Sequence, residues 1–389
     1  MKINKLFLLG LAGLAFTACS SDEEMTTQSG LPIGNGAVSV KIVNPASTRA
    51  ITSPTGGDNG SKIEVSGTLT VTLSYKDELN QDKTQTLSID AADLNNETKL
   101  KFWNIYKPEK LTVAINGGTA DYSAVDISSE AMQNAPANIA AYGETGTFTK
   151  TTETGSPVIA NDGITEEGAE NGDDSKVYQM YNASVTMAIP VARLEVSGIT
   201  HVTHVGAPDD VCEYAKLTIA GAYLDDLCQY GGKYSNGAYS AATTVGDYCW
   251  LENQGLGTGA TAILKDAITG DETARNFLTG TWPANGEAFA YNFYASGTNP
   301  IFKIYFDQSE GASITEPRPA PRFAMVTKYV DADDNPVTFE NGKIYRITKA
   351  ELSDKNIIGD EGGNTLYGVT VTVTEAEWSI VDINAEWAE

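Results

Sequence analysis

The chain has 389 residues, of which 41% are apolar, so it is long enough for two or three domains with ample core. Lysine and arginine number 26 against 51 aspartate and glutamate residues, which gives a net charge of −25. Phosphate backbones and anionic lipids repel a chain of that sign, so nucleic acid is excluded as a partner.

The first 18 residues have the pattern of a signal peptide. Lys2 and Lys5 precede an apolar run over 6–16, which is too short to span a bilayer as a stable helix. Residues 16–19 (Phe-Thr-Ala-Cys) resemble a lipobox, in which Cys19 is acylated and becomes the mature N-terminus, with phenylalanine where leucine is usual. The alternative is ordinary signal cleavage that leaves Cys19 unmodified.

A short strand follows the tether at 25–36. Residues 37–43 (Ala-Val-Ser-Val-Lys-Ile-Val) alternate with period 2, and the loop at 52–61 follows Arg49 and Ala50. Because flexible segments lie on both sides of this strand, a protease can remove it, and Arg49 in small-residue surroundings suits a trypsin-like cut before Ala50.

Most of the remaining chain predicts short β-strands separated by turns. Strand patterns occur at 65–75, 85–90, 99–106, 111–116, 178–190, 192–199, 215–222, 288–294, 301–306, 322–330 and 337–349. Residues 145–174 are rich in Thr, Gly, Glu and Asp, which indicates an extended loop. This spacing favours β-sandwiches over a βαβ fold, and we predict two all-β domains with a junction between about 173 and 190.

The C-terminal stretch has an unusually apolar strand pattern. Val369, Val371 and Val373 alternate with threonines, and the alternation changes register between Ile380 and Val381, which implies a bulge or two half-strands. Chain termini are usually polar, so this one is expected to be docked. It is either the last strand of its own domain or a strand that completes the sheet of another copy.

Residues suited to catalysis or metal binding are few. His201 and His204 are the only histidines, and on a strand their side chains face opposite sides, so we expect exposed polar residues rather than a metal site. Residues 331–335 have calcium-loop spacing, but Pro336 and Gly342 stand where such a loop needs glycine and glutamate, which favours a hairpin turn.

The remaining candidates for chemistry are equally weak. The acidic residues within 166–174 fit a solvated loop, and the glycines at 255–259 match no nucleotide-binding motif. We therefore predict no catalytic residues, no metal and no cofactor. Cys212, Cys228 and Cys249 allow a Cys212–Cys228 or Cys228–Cys249 disulfide, and buried free thiols are the alternative.

Several segments, taken in order, resemble the fimbrillin family, the subunits of type V fimbriae from anaerobic Gram-negative bacteria. They are the lipobox ending at Cys19, residues 47–50 (Ser-Thr-Arg-Ala), the strand 192–198, the return strand 343–352 and the ending 369–378.

The resemblance implies a precursor that is assembled outside the cell. Cys19 would carry the lipid that holds the precursor in the outer membrane, and an Arg-specific protease would cut between Arg49 and Ala50. Residues 37–43 would then leave, and the C-terminal stretch of another copy would fill the groove by strand addition. The implied donor residues are Val369, Val371, Val373, Trp378, Ile380, Val381, Ile383 and Trp387.

The expected organisation is all-β, with two β-sandwich-like domains and a C-terminal donor-strand segment. Its parts are a signal peptide (1–18), a lipidated tether with a removable first strand (19–49), an N-terminal sandwich (50–180), a C-terminal sandwich (181–366) and the donor segment (367–389). The implied function is a stalk subunit of a cell-surface fimbria, with related fimbrial subunits as partners. The alternatives are a monomeric surface lipoprotein that binds a glycan or host protein, a tip or accessory adhesin, and a surface hydrolase.

Overall fold

The computed structural model describes residues 33–43, 63–90, 100–155, 177–202, 213–242, 264–359 and 368–379. Over these ranges the protein is built from strands, and its helical residues are confined to short 3-10 turns at Pro136–Asn138, Ala284–Gly286 and Asp354–Asn356. The prediction of an all-β chain is confirmed. No helix in the described ranges is both long and apolar enough to cross a membrane.

The first nine strands are, in chain order, β1 (Ile33–Val43), β2 (Ile63–Glu64), β3 (Thr68–Lys76), β4 (Asp82–Asp90), β5 (Leu100–Ile105), β6 (Lys107–Ile115), β7 (Ala141–Thr145), β8 (Phe148–Gly155) and β9 (Val177–Thr186). All but β2 form two four-stranded sheets, in the orders β5-β1-β9-β8 and β4-β3-β6-β7. Two sheets that bury their apolar faces against each other make a sandwich.

The second set of strands comprises β10 (Ala192–Val196), β11 (Ile199–His201), β12 (Tyr214–Asp225), β13 (Tyr234–Ser235), β14 (Ala238–Tyr239), β15 (Leu264–Ala267), β16 (Thr281–Trp282), β17 (Phe289–Phe293), β18 (Ile301–Gly311), β19 (Arg322–Val330), β20 (Lys343–Ile347), β21 (Ala350–Leu352), β22 (Val369–Thr372) and β23 (Thr374–Ser379). Its two five-stranded sheets have the orders β17-β10-β20-β23-β2 and β15-β12-β18-β19-β22. Two small sheets, β16-β11-β21 and β13-β14, complete the set. Since β9 pairs with β1 as far as Thr186, the change from one set of sheets to the next falls after that residue.

Period-2 alternation explains the strands of the β4-β3-β6-β7 sheet. In β3 the side chains of Leu69, Val71, Leu73 and Tyr75 are buried, while the intervening residues are half-exposed. Such a strand gains burial energy from one face only, so its register is firmly specified.

β8 corrects the sequence analysis. The stretch 145–174 was expected to be an extended loop, yet residues 148–155 form an edge strand that pairs antiparallel with β9. An edge strand pairs along one side only and needs little apolar content, so its threonine-rich composition conceals it.

The segment between β6 and β7 fastens the two sets of strands together. The buried carboxamide nitrogen of Asn292, on β17, donates to the carbonyl oxygens of Met132 at 2.7 Å and Asn134 at 3.1 Å. Its oxygen accepts a 3.1 Å hydrogen bond from Arg193, on β10. Because these buried polar groups are partnered, they stabilise the junction instead of penalising it.

The C-terminal stretch, as far as it is described, belongs to its own domain. β22 pairs parallel with β19, and the chain then crosses to the other five-stranded sheet, where β23 pairs antiparallel with β20. Val369, Val371 and Val373 are 9%, 3% and 3% exposed and join the main apolar core. For these residues the structure agrees with the closing-strand interpretation.

We predict that Val371→Ala lowers the free energy of unfolding of the monomer by about 1.5–3 kcal/mol, because two buried methyl groups are lost and a cavity remains. Urea titration followed by far-UV circular dichroism measures the change. Thr370→Ala, at the adjacent exposed position of β22, is the matched control and should change stability by less than about 0.5 kcal/mol. Equal stability of the Val371→Ala variant and the wild type would contradict this placement.

Candidate functional site

The predicted first strand lies in the middle of a sheet. β1 pairs antiparallel with β5, where Val38 lies opposite Phe102 and Val40 opposite Leu100. On its other side it pairs parallel with β9 along nearly its whole length, from Ile33 to Val43. Both backbone edges of β1 are therefore hydrogen-bonded, and its absence would leave two unpaired edges facing each other.

One face of β1 contributes to the main core of the protein. Val38, Val40 and Ile42 are 0%, 0% and 1% exposed. At about 1.5–3 kcal/mol for each fully buried side chain, these three residues contribute roughly 5–9 kcal/mol of gross burial energy. β1 is thus an integral part of the fold.

The opposite face of β1 is also buried, but it is partly polar. Ala37 packs with Trp103 and Tyr178, whose rings meet edge to face with 5.2 Å between their centroids. Two residues on, the fully buried Ser39 lies between Lys101 of β5 and Asn182 of β9. Among the described residues, neither the Ser39 hydroxyl nor the Asn182 side-chain oxygen has a hydrogen-bond partner. Unpartnered buried polar atoms carry a desolvation cost, so β1 is not optimal for this position.

The space that β1 occupies differs at its two ends. A Cβ atom at Gly36 would lie 2.8 Å from both the carbonyl oxygen of Ile105 and the ring of Tyr181, so the beginning of the strand is narrow. At the other end, the Met187 amide donates to the Val43 carbonyl at 2.9 Å, and the next two residues, Ala188 and Ile189, line a cavity of about 560 Å³.

Thr186 at the end of β9 and segments of the second set of strands form the remaining wall of this cavity. Its lining includes Thr186, Tyr239, Ala241, Ala295, Phe339 and Glu340. The Phe339 ring stacks on Tyr345 with 4.2 Å between ring centroids, and the Tyr239 hydroxyl donates to the Thr119 carbonyl at 2.5 Å. The aromatic part of the wall is therefore held in place by other contacts.

Only some of the predicted site residues fall in described parts of the chain. Cys19, Arg49 and Ala50 lie outside the described residues, as do Ile380, Val381, Ile383 and Trp387. Val369, Val371 and Val373 are packed in the core of their own domain, so the donor hypothesis is carried forward only for residues after Ser379. Trp378 lies on β23, where it is the parallel partner of Ile63 on β2.

His201 corrects the expectation of an exposed polar residue. Its side chain is 4% exposed, and its Nε2 atom lies 2.8 Å from Oδ1 of Asp354, whose other oxygen accepts a 2.9 Å bond from the Glu213 amide. Burial raises the pKa of Asp354, but the hydrogen bonds from His201 and Glu213 outweigh it and hold the pKa below the ordinary 3.8. The pair is a buried structural contact, and His204 lies outside the described residues.

The other candidate sites prove to be structural where they are described. The Asp331 carboxylate accepts 2.9 Å hydrogen bonds from the amides of Asp333 and Asn335, which is the closed turn that the sequence favours over a calcium loop. The Cys228 thiol is free and buried, and burial raises its pKa. Within the described ranges no group of three or more His, Cys, Asp or Glu side chains is arranged to hold a metal ion.

No family model and no curated protein matches this chain. Among solved structures, a proposed cell adhesion protein from Bacteroides eggerthii is 14% identical with a TM-score of 0.48, over 91% of this chain and 98% of that one. A proposed cell adhesion protein from Parabacteroides distasonis is 10% identical with a TM-score of 0.47, over 90% and 98%. A fimbrilin from Porphyromonas gingivalis is 11% identical with a TM-score of 0.42, over 90% and 99%.

We predict that Ser39→Ala stabilises the uncut protein by about 1 kcal/mol, because it removes a buried hydroxyl without a described partner. Thermal unfolding followed by calorimetry measures the gain as a raised Tm. Ser184→Ala, at an exposed position of β9 near the same row, is the control and should leave Tm unchanged. A lowered Tm for Ser39→Ala would show that the hydroxyl is bonded after all.

We predict that the free energy of unfolding falls as the pH falls, and that protonation of Asp354 accounts for part of this loss. Because its folded pKa is depressed, this carboxylate contributes stability that is present above pH 3.8 and is lost as the pH falls through the folded pKa. Urea unfolding of Asp354→Asn should therefore show a shallower loss of stability than the wild type between neutral pH and about pH 3. Asp333→Asn, which changes an exposed carboxylate, should follow the wild-type profile.

Proposed function

We propose that this chain is a structural, non-catalytic subunit of a cell-surface fimbria that polymerises by head-to-tail strand exchange and supports adhesion. In this scheme the precursor is anchored in the outer membrane by lipid on Cys19, and an Arg-specific protease cuts between Arg49 and Ala50. β1 then leaves, and residues 380–389 of another copy take its place. The observation that carries the proposal is the central position of β1, which is buried on both faces and paired on both edges.

The cut converts β1 from a covalent part of the chain into a separate peptide. In the intact chain, residues 44–62 connect β1 to the rest of the fold, and Arg49 lies within them. After cleavage only noncovalent contacts hold the strand, and the groove it leaves is lined by Leu100, Phe102, Ala183 and Val185. The unpaired backbone edges of β5 and β9, with apolar side chains exposed between them, are a template for strand addition.

The residues after Ser379 suit this groove in length and pattern. Residues 380–389 (Ile-Val-Asp-Ile-Asn-Ala-Glu-Trp-Ala-Glu) are close in length to the eleven-residue β1. Val381, Ile383, Ala385 and Trp387 alternate with polar residues, as a strand with one buried face requires. Trp387 is larger than any side chain that β1 offers to the core, so an exchange can gain contact area.

Strand exchange of this kind produces an open assembly. The groove lies in the first set of sheets, whereas the donor follows β23 in the second set. Because the two surfaces differ, each copy can accept one strand and donate another, and the contact propagates instead of closing. A chain with both a cut site and a donor fits a stalk position in the fibre.

The second candidate is a monomeric surface lipoprotein that binds a glycan or a host protein. Residues 369–379 favour it, since they close the sheets of their own domain. A tip or accessory adhesin is a variant of the fimbrial proposal in which the chain accepts a strand without needing to donate one.

The decisive experiment treats purified residues 20–389 briefly with an Arg-specific protease and follows the products on unboiled detergent gels. We predict a new N-terminus at Ala50 and a ladder of detergent-resistant oligomers. Arg49→Ala should remain monomeric, because the first strand then stays attached.

A chain that ends at Ser379 is the matched control for the donor. It keeps the core valines of β22 and should fold and be cut normally, but it should not form the ladder. Monomers after complete cleavage of the full chain would favour the monomeric lipoprotein. A ladder from the chain ending at Ser379 would show that the donor lies elsewhere.

A further inference from the structure

The groove itself indicates how an incoming strand must be aligned. At the Gly36 end even a methyl group meets the Ile105 carbonyl, whereas the Val43 end leads to the cavity of about 560 Å³. A strand that presents its largest side chain last therefore fits in the direction of β1, parallel to β9. Residues 380–389 have this order, because the only aromatic residue among them is Trp387.

A second feature marks one position along the groove. Lys101 is 1% exposed and lies opposite Ser39 of β1. A carboxylate at the Ser39 position would lie on the strand position opposite this lysine, and a buried charge-assisted hydrogen bond is stronger than one from a hydroxyl. In the terminal segment, the acidic residues at strand positions facing away from the core are Asp382 and Glu386.

We propose, building on strand exchange as the function, that Val381 of the incoming copy takes the place of Val38, in the direction of β1. This register puts Asp382 at Ser39 beside Lys101, and Ile383 at Val40. Asn384 and Glu386 replace Lys41 and Val43, which are exposed and half-buried. Trp387 falls one position beyond Val43, and its indole enters the cavity.

Other registers fit the groove less well. A slip by one residue turns Asp382 and Asn384 towards the apolar core, because strand side chains alternate in direction. A shift by two residues towards the Gly36 end moves Trp387 to the Ile42 position, which lies in the main apolar core at 1% exposure. A shift by two in the other sense puts the apolar Ile380 at the Ser39 position opposite Lys101. The reverse direction brings Trp387 to the narrow end.

The cavity is within reach of a strand that is slightly longer than β1. The Met187 amide already bonds to Val43, and the lining residues Ala188 and Ile189 come next along the chain. In the proposed register, a core-facing residue of the incoming strand one position beyond Val43 would lie at the cavity mouth. Phe339 and Tyr239 offer aromatic surface there, which suits an indole.

Disulfide mapping tests the register. Lys41 and Ser184 are strand partners, so Asn384→Cys of one copy should face Ser184→Cys of the next within disulfide distance. We expect the cut and polymerised double variant to form oligomers under mild oxidation that survive boiling without reductant. The control pairs combine Ser184→Cys with Asp382→Cys or with Glu386→Cys, and single variants account for the native cysteines.

The outcomes separate the register from the function itself. Cross-links from a control pair, or a detergent-resistant ladder without cross-links from any pair, would overturn the register and leave strand exchange standing. A protein that is cut but forms no ladder, even without substitutions, would overturn strand exchange as well.

The cavity is tested by a double-mutant cycle on the cut, polymerised protein. Trp387→Ala should speed dissociation of the oligomers in detergent about 30-fold, as expected for a buried aromatic anchor, and Trp387→Phe should have a smaller effect. Ala241→Trp, which narrows the cavity from an exposed lining position, should also speed dissociation. The double variant Ala241→Trp/Trp387→Ala should dissociate little faster than Trp387→Ala alone, because both substitutions remove the same contact. Fully additive effects, or no effect of Trp387→Ala, would overturn the placement of the indole.

Discussion

The burial of β1 on both faces is the constraint on which this structure depends. A central strand supplies hydrogen bonds to two neighbours and apolar side chains to the core, so the sheet β5-β1-β9-β8 is incomplete without it. With β1 in place these edges are paired and the apolar wall is covered, whereas the same molecule without β1 would carry two unpaired edges and an uncovered apolar wall.

The two sets of sheets use different parts of the chain. The first set contains the central strand β1, while the second set includes the C-terminal strands β22 and β23 of the same chain. The network around Asn292 and the segment between β6 and β7 tie the halves together with buried, fully partnered hydrogen bonds.

β1 does not make every contact that its position between β5 and β9 offers. The buried Ser39 hydroxyl has no hydrogen-bond partner among the described residues, and Thr186, the strand partner of Val43, lines the cavity of about 560 Å³. In the strand exchange proposed above, a first strand that fits imperfectly would leave more readily after the cut than one that fits perfectly.

Much of this organisation follows from the sequence alone. Alternation predicted the first strand at 37–43, and the spacing of short strand patterns predicted an all-β chain. The segments around Cys19 and Arg49 suggested maturation at the N-terminus. All of these signals are local in the chain. Local patterns did not reveal β8, whose polar composition suits an edge strand, or the burial of His201 against Asp354, which is distant in the chain. They also could not show that β1 is central and parallel to β9, since that pairing joins residues more than a hundred positions apart. The valines at 369, 371 and 373 illustrate the limit most directly. Their period of two determines that one face of the strand is buried, but only the tertiary structure decided which sheet covers that face, because alternation is identical whether the covering sheet belongs to the same chain or to another.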